Sequence, residues 1–372
     1  MFGYSSKKMA AMVMAACFAM SGVTAAGYAF APSQAEAKMA SPEQERKWAK
    51  EAQEDDAKKY RIEQSEPGSP LRHIQDQLIK YNSDRLNYDD GKHDRWLEPV
   101  WLGFGDFPTA GWSQGGYVMI PNKTVMLANG RQGVLHHQED VNNDYNIYNN
   151  SNIAETLAHE FAHFANDDTR KRSVQKSSTA IACEFQADAT AREFLANVPE
   201  YSLGSQLPIY AGGGWNGVDR MLGYKTHPSD KERFQAIADD VRKISNGRVS
   251  VDEELRLTVD GKLFMGTGYV QTTNEADKNV RTAYLAGQIA TCIQKGIWNR
   301  DYIAHRAENK IFADGRPDKV VLAMWDNSQC VGEPKKILGT FDYDERKDKS
   351  ERTEIEKQEV RTLNYIMDLT KN

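Results

Sequence analysis

Apolar residues recur at helical spacing on both sides of residue 160. Ile153, Leu157, Phe161 and Phe164 fall on one face of a predicted helix, which is the pattern of a helix that buries one side. The sequence Asn166-Asp167-Asp168 predicts the end of this helix. At the other end, Asn152 followed by Glu155 resembles a capping box, so the helix is predicted to begin there.

Two histidines, His159 and His163, lie on roughly the opposite side of this helix from the apolar face. They are four residues apart, so both imidazoles point from one face toward a common point. Glu160 completes the sequence H-E-x-x-H. Two nitrogen ligands and an adjacent carboxylate are the groups that metal-assisted hydrolysis needs, with Glu160 as the general base.

A second, alanine-rich helix is predicted over residues 176–191. Glu184 and Asp188 share one of its faces, and the small Ala180, Ala187 and Ala191 on that side permit a close approach to another helix. A catalytic zinc ion normally has three protein ligands, so we assign Glu184 as the third. Asp188 is then free to bind the far nitrogen of a metal-bound histidine. The alternative for both carboxylates is a solvated acidic face.

A third short motif, Thr226-His227-Pro228, precedes another predicted helix that Ser229 or Asp230 can cap. His227 is placed to hydrogen-bond the oxyanion of a tetrahedral intermediate. An isolated His-Pro pair is also compatible with a purely structural histidine, or with a histidine that occupies the open metal position in a resting state.

Together, His159-Glu160-x-x-His163, Glu184-x-x-Ala187-Asp188 and Thr226-His227-Pro228 resemble the M48 zinc metallopeptidases. The resemblance implies a mainly helical gluzincin core with a small antiparallel sheet. It implies zinc ligands His159, His163 and Glu184, one ion per chain, with Glu160 as base. It also implies that Asp188 supports a ligand, that His227 lies at the cleft, and that Arg233 is a structural, salt-bridging residue.

The N-terminus differs in composition from the rest of the chain. Lys7 and Lys8 precede an uncharged, alanine- and methionine-rich stretch over residues 9–31, and Ala35-Glu36-Ala37 fits a cleavage site. This pattern predicts a signal peptide over residues 1–37 and an exported protein, either periplasmic or secreted. An uncleaved membrane anchor is the alternative. No later segment is apolar enough to span a membrane.

The remaining chain is divided by its motifs. A charged N-terminal segment, residues 38–66, is either the first helix of the enzyme or a pro-segment. Residues 67–250 form the predicted peptidase domain, and residues 251–372 form a small α+β domain without any of the three motifs. The overall class is therefore α+β.

Individual elements are predicted from apolar periodicity and from breaks at Pro and Gly. In the first part of the chain these are helices over 41–64 and 70–82 and strands over 99–104, 116–121 and 124–127. Residues 116–120 are the candidate strand for pairing with an extended substrate. The C-terminal part is predicted to contain strands over 262–271, 318–325 and 335–342 and helices over 275–296 and 344–370.

Composition narrows the possible partners. The net charge of −6 argues against nucleic acid as a partner. The resemblance to zinc peptidases implies a protein or peptide substrate. Cys292 and Cys330 lie in the same region and are able to pair in an oxidising compartment.

From its metal-binding motifs, the chain is predicted to be a zinc endopeptidase. The alternative is a low-activity or inactive binding or chaperone factor of envelope quality control, and the sequence leaves the oligomeric state open.

Overall fold

The computed structural model describes residues 39–105, 111–122, 147–171, 178–211, 228–264, 275–311 and 317–342. It forms two compact units. The first unit comprises residues 1–195 and 215–229, and the second comprises residues 196–214 and 230–372. The described elements are helices and small sheets, so the predicted α+β class is confirmed. The predicted domain limits near residues 38, 67 and 250 stay sequence predictions.

The first unit contains four helices and one sheet in the described residues. The helices are α1 (Pro42–Lys59), α2 (Pro70–Tyr81), α3 (Ile147–Ala165) and α4 (Ser178–Asn197), of which α4 continues into the second unit. The strands are β1 (Arg61–Gln64), β2 (Trp101–Phe104), β3 (Trp112–Gln114) and β4 (Tyr117–Pro121). A short 3-10 helix, Asp168–Arg170, follows α3.

The first two helices begin at serine caps. The Ser41 hydroxyl accepts a hydrogen bond from the Gln44 amide at 3.2 Å, and Ser69 caps α2 in the same way. However, α1 ends at Lys59, because the chain becomes extended at Tyr60 and residues 61–64 form β1 instead of more helix. The predicted apolar face of α2 is buried, and α2 packs against α3.

The sheet of the first unit has the strand order β1-β2-β4-β3. Strands β2 and β4 are parallel, whereas the other two pairs are antiparallel, so this sheet is mixed, where a small antiparallel sheet was predicted. After β2 the chain forms β3 at the sheet edge and turns back at Gly115, whose φ of 58° suits a glycine. This return places β4 between β2 and β3, parallel to β2.

The helix that carries the histidines begins earlier than the sequence suggested. It starts at Ile147, so Asn152 and Glu155 lie inside it and are buried, and the predicted capping box was wrong. The helix ends at Ala165, as Asn166-Asp167-Asp168 predicted. Its predicted apolar face is confirmed, because Ile153, Leu157, Phe161 and Phe164 are all buried.

The second unit contains three helices and two sheets in its described residues. The helices are α5 (Leu207–Ala211), α6 (Asp230–Ile244) and α7 (Glu275–Gln294). One antiparallel sheet joins β5 (Val249–Val251), β6 (Leu257–Val259) and β7 (Lys262–Phe264). The other joins β10 (Lys336–Asp342), β9 (Pro317–Met324) and β8 (Ile303–Ile311) in that order. Strand β8 was not predicted, and the helix predicted over 344–370 lies outside the described residues.

Helix α7 is the centre of the second unit. A Cβ atom on Gly287 would lie 2.1 Å from the Ser202 hydroxyl, so only a glycine permits this close approach. The Tyr284 hydroxyl bonds the carbonyl oxygens of Glu200 and Ile337, each at 3.0 Å. These contacts fix α7 against both the 198–205 segment and β10.

All three cysteines in the described part of the chain are free thiols. Cys183 and Cys292 are buried, Cys330 is half-buried, and no bond joins Cys292 to Cys330. Among the described helices, none is both long and apolar enough to cross a bilayer. The predicted signal peptide over residues 1–37 lies outside the described residues.

Candidate metal centre

Helix α3 presents His159 and His163 from one face, one turn apart. Their rings are nearly perpendicular, with an interplanar angle of 89° and centroids 4.7 Å apart. The two Nε2 atoms face each other at 3.2 Å. His163 is buried and His159 is half-buried, so neither ring is fully exposed to solvent.

Helix α4 brings Glu184 to the same point. Its Oε2 lies 3.2 Å from His159 Nε2, and its Oε1 lies 3.6 Å from His163 Nε2. One ligand atom from each of the three residues lies within 4.8 Å of the others. Ala187 and Ala191, two of the small residues that share a face with Glu184, are fully or almost fully buried.

Each histidine is also held from behind by a carboxylate. Asp188 Oδ1 lies 2.8 Å from His159 Nδ1, and Asp168 Oδ2 lies 3.1 Å from His163 Nδ1. In a neutral imidazole, an Nδ1–H that donates to a carboxylate leaves the Nε2 lone pair available to a metal ion. In their neutral forms, both histidines would therefore donate Nδ1–H to a carboxylate and point an Nε2 lone pair at the space shared with Glu184.

The electrostatics of the cluster favour a cation at this point. Burial alone lowers the pKa of His159, but Asp188 and Glu184 outweigh it and raise the pKa to about 10. Burial likewise opposes the charged form of His163, and Glu184 and Asp168 raise its pKa above the usual value. Several carboxylates therefore converge on two imidazoles and stabilise positive charge between them.

The donor set fits a zinc ion. A tetrahedral ion with bonds of about 2.0–2.1 Å holds its ligand atoms about 3.3 Å apart. The two Nε2 atoms are 3.2 Å apart, which is close to that value. The distances from His159 Nε2 to Glu184 Oε2, 3.2 Å, and from His163 Nε2 to Glu184 Oε1, 3.6 Å, are also close to it. Two imidazole nitrogens with one carboxylate also form a recognised zinc ligand set with a fourth position left open.

Glu160 follows the first histidine but is not part of the metal-binding group found among the described residues. Its side chain is buried, with 8% exposed. A Cβ atom on Gly111 would lie 3.5 Å from Glu160 Oε1 and 2.8 Å from Ile120 Cδ1, so the main chain just before β3 lies against this carboxylate. Glu160 thus faces the end of the sheet nearest α3.

The structure changes one expectation about the sheet. Residues 116–120 were the candidate for pairing with substrate, yet β4 already pairs with β2 and β3 on its two sides. Among the described strands, β3 is at the edge and packs against α3. The candidate edge is therefore residues 112–114, a strand that the sequence did not predict because it is only three residues long.

Sequence reasoning also missed Asp168. It was interpreted only as part of a helix stop, whereas its carboxylate is 1% exposed, bonds His163 and accepts a hydrogen bond from Lys171 Nζ at 2.8 Å. The available signal was its position five residues after His163, just beyond the last helical turn.

His227 lies outside the described residues. Arg233 lies beside Tyr210, donating to its hydroxyl at 3.3 Å.

One comparison with known proteins gives a match. Residues 134–249 are similar to the family model described as Peptidase U49. This is a peptidase family different from M48, so the resemblance drawn from the three motifs was wrong. No curated protein and no solved structure matches the chain. Short motifs set by zinc chemistry recur in several peptidase families, which is why they do not distinguish one family from another.

The matched region contains the whole of α3 and α4, and with them His159, Glu160, His163 and Glu184. Similarity to a peptidase family supports a protease, and a protease binds protein or peptide substrates. The part of the chain that carries the three converging side chains is therefore also the part that resembles a known peptidase.

Proposed function

We propose that this chain is a zinc-dependent endopeptidase. The observation that carries the proposal is the convergence of His159 Nε2, His163 Nε2 and Glu184 at distances suited to one zinc ion, with Nδ1 of each histidine held by a carboxylate. The similarity of residues 134–249 to Peptidase U49 supports the reaction class.

Each residue has one task in this proposal. His159, His163 and Glu184 would hold a zinc ion, which would supply Lewis-acid chemistry to the peptide carbonyl and the attacking water. Glu160 accepts a proton from that water and passes it to the leaving amine. Asp188 and Asp168 hold the imidazole rings in position. His227 is proposed to donate a hydrogen bond to the oxyanion.

Substrate binding is proposed at the edge of the sheet. Strand β3 is the last strand of its sheet among those the structure describes, and an extended peptide can add to a sheet edge through main-chain hydrogen bonds. Because Gly111 lies against Glu160 immediately before β3, a peptide paired with this edge would pass close to the general base.

The decisive experiment compares Glu160→Gln with wild type on an unfolded protein substrate. The amide keeps the size of the side chain but accepts no proton, so turnover should fall by about 10²–10⁴-fold while bound zinc stays the same. Glu193→Gln is the matched control, because Glu193 is exposed on α4. Wild-type turnover in Glu160→Gln would remove this site from the chemistry.

His227→Ala separates two roles for that residue. As an oxyanion donor, its loss should reduce the rate by about 10²–10³-fold and leave the zinc content unchanged. If His227 instead occupies the open position in a resting form, the same change should increase the rate. A wild-type protein that holds one zinc ion but cleaves no unfolded protein would favour the binding or chaperone factor.

We also propose that the protein acts in the cell envelope or outside the cell. Support comes from Lys7 and Lys8, the uncharged stretch over residues 9–31 and the Ala35-Glu36-Ala37 site. Mass spectrometry of the protein from its native host should find a chain that begins near Lys38. An intact N-terminus in a membrane fraction would instead indicate an anchor.

A further inference from the structure

The N-terminal helix α1 carries an almost fully buried carboxylate. Glu45 is 3% exposed. Arg95 binds its carboxylate through two nitrogens: Nε donates to Oε2 at 2.6 Å, and Nη2 donates to Oε1 at 2.8 Å. A bidentate, charge-assisted pair of this kind is geometrically specific. It fixes α1 to the loop that contains Arg95.

Arg95 also reaches the end of the metal-binding helix. Its Nη2 donates to the carbonyl oxygen of Phe164 at 2.8 Å, and its guanidinium lies 4.2 Å from the centroid of the Phe164 ring. Its Nη1 donates to Asp167 Oδ1 at 2.7 Å. Phe164 directly follows the ligand His163, so one arginine connects α1 with the last turn of α3.

A further hydrogen bond connects α1 with the turn after α3. The Thr169 hydroxyl donates to Glu45 Oε1 at 2.5 Å, and the Thr169 carbonyl accepts from Gln114 Nε2 at 3.1 Å. Next to it, Arg170 and Ala40 exchange hydrogen bonds of 2.8 and 3.1 Å. The turn therefore has fixed contacts with α1, with β3 and with the residues just before α1.

Asp168 lies in the middle of this turn, between Asp167 and Thr169, and its carboxylate bonds His163 Nδ1. The backbone at Asp167 has a φ of 62°, a conformation that a non-glycine residue keeps only when its surroundings hold it there. The contacts of Glu45 and Arg95 with Asp167 and Thr169 supply that restraint on both sides of Asp168.

We propose that Glu45 and Arg95 are positioning residues of the metal centre, and that α1 is a permanent part of it rather than a removable pro-segment. They fix the turn so that Asp168 holds the His163 ring with Nε2 toward the metal position. The proposal rests on the zinc site proposed above, although not on which reaction that site performs.

The expected consequence is a change in metal affinity. Without Glu45, the turn loses the acceptor of Thr169 and the partner that orients Arg95, so Asp168 and the His163 ring gain freedom. Loss of a group that directly orients a ligand reduces metal affinity by about 10–100-fold. Glu45 acts one step further out, so Glu45→Ala should weaken zinc binding by about 10-fold.

The test uses the full-length chain and the metal alone. Zinc affinity is measured by competition with a chelator for wild type, Glu45→Ala and Thr169→Val, with Glu43→Ala as the matched control, because Glu43 is an exposed glutamate of the same helix. Thr169→Val keeps the size of the side chain and removes only the hydroxyl that binds Glu45. The visible spectrum of the Co²⁺-loaded proteins reports the ligand geometry independently of folding.

Weaker zinc binding and an altered Co²⁺ spectrum in Glu45→Ala, with a smaller loss in Thr169→Val and none in Glu43→Ala, would support the proposal. If Glu45→Ala does not fold, Thr169→Val alone decides. Wild-type affinity and spectrum in Thr169→Val and in any folded Glu45→Ala would overturn the proposal. So would a natural form that lacks residues 41–59 and binds zinc normally. Absence of proteolysis in wild type would defeat only the proposed function, because these readouts need no substrate.

Discussion

Buried charges have different surroundings in the two compact units. In the first unit, the carboxylate of Glu45 lies against Arg95, and that of Asp168 lies against both His163 and Lys171. In the second unit, the one buried lysine compared with them, Lys336, donates to the carbonyl oxygens of Val198 at 2.6 Å and Tyr201 at 2.9 Å.

The electrostatic consequences are opposite. Burial alone raises the pKa of Asp168, but His163 and Lys171 outweigh it and hold the pKa below its usual value, so this carboxylate stays charged. Burial lowers the pKa of Lys336 well below its usual range. A neutral amine still has two N–H groups for two carbonyl acceptors. The first arrangement preserves charges around a common point, whereas the second disfavours a charge in the interior.

The largest expected effect comes from removing the carboxylate that both histidines of the first unit face. Glu184→Ala leaves two nitrogen ligands, which are too few to hold zinc tightly. Loss of a residue that only hydrogen-bonds a ligand reduces metal affinity by about 10–100-fold, and the loss in Glu184→Ala should be larger. Chelator competition measures the loss, with Glu193→Ala as an exposed control on the same helix. Unchanged zinc binding at nanomolar free metal would exclude Glu184 as a ligand.

A smaller effect is expected from the two outer carboxylates, and it should differ between them. The Asp168 side chain is 1% exposed, and its removal takes away the carboxylate that His163 and Lys171 both bind. The Asp188 side chain is 12% exposed, so water can replace its carboxylate more easily. Asp168→Ala should cost about 100-fold in zinc affinity and Asp188→Ala about 10-fold.

The same titration, with the exposed Asp239→Ala as control, checks the predicted order of the two aspartates. Equal losses for Asp168→Ala and Asp188→Ala would mean that burial does not distinguish the two sides of the centre.

The lowered pKa of Lys336 should appear as a pH dependence of the free energy of unfolding. As the pH falls through 10.5, the unfolded chain takes up a proton at Lys336 that the folded chain does not. The free energy of unfolding therefore falls with falling pH, by up to about 1.4 kcal/mol per pH unit, until the folded amine titrates. Urea unfolding between pH 7 and 10 should show this slope in wild type and not in Lys336→Met. Parallel profiles would show that Lys336 stays charged inside.

The smallest effect concerns the thiols of the same unit. Burial raises the pKa of Cys292 to about 12, so it should react with a thiol reagent only on unfolding, whereas the half-buried Cys330 should react in the folded protein. Counting labelled thiols by mass before and after denaturation gives the result, with Cys330→Ser as control. Rapid labelling of Cys292 in the folded state would mean that the surroundings of Lys336 are open to water.

The sequence by itself determined what depends on neighbours a few residues apart along the chain. The spacing of Ile153, Leu157 and Phe161 predicts the buried face of α3, and the four-residue spacing of His159 and His163 directs both rings to one side, because a helix repeats every 3.6 residues. The Ser41 and Ser69 caps are local for the same reason. Glu184 was assigned because a catalytic zinc ion requires a third ligand, not because its pattern differs from that of a solvated face.

Only the tertiary structure decided which distant groups support the site. Arg95 meets Glu45 across 50 residues and Thr169 meets Glu45 across 124, separations at which no periodicity relates two positions. The edge position of β3 likewise depends on how the chain returns as β4, and the role of Asp168 depends on the left-handed turn at Asp167. Helical spacing is a property of the chain alone, whereas strand order and buried hydrogen bonds arise only when separate segments pack together and exclude water.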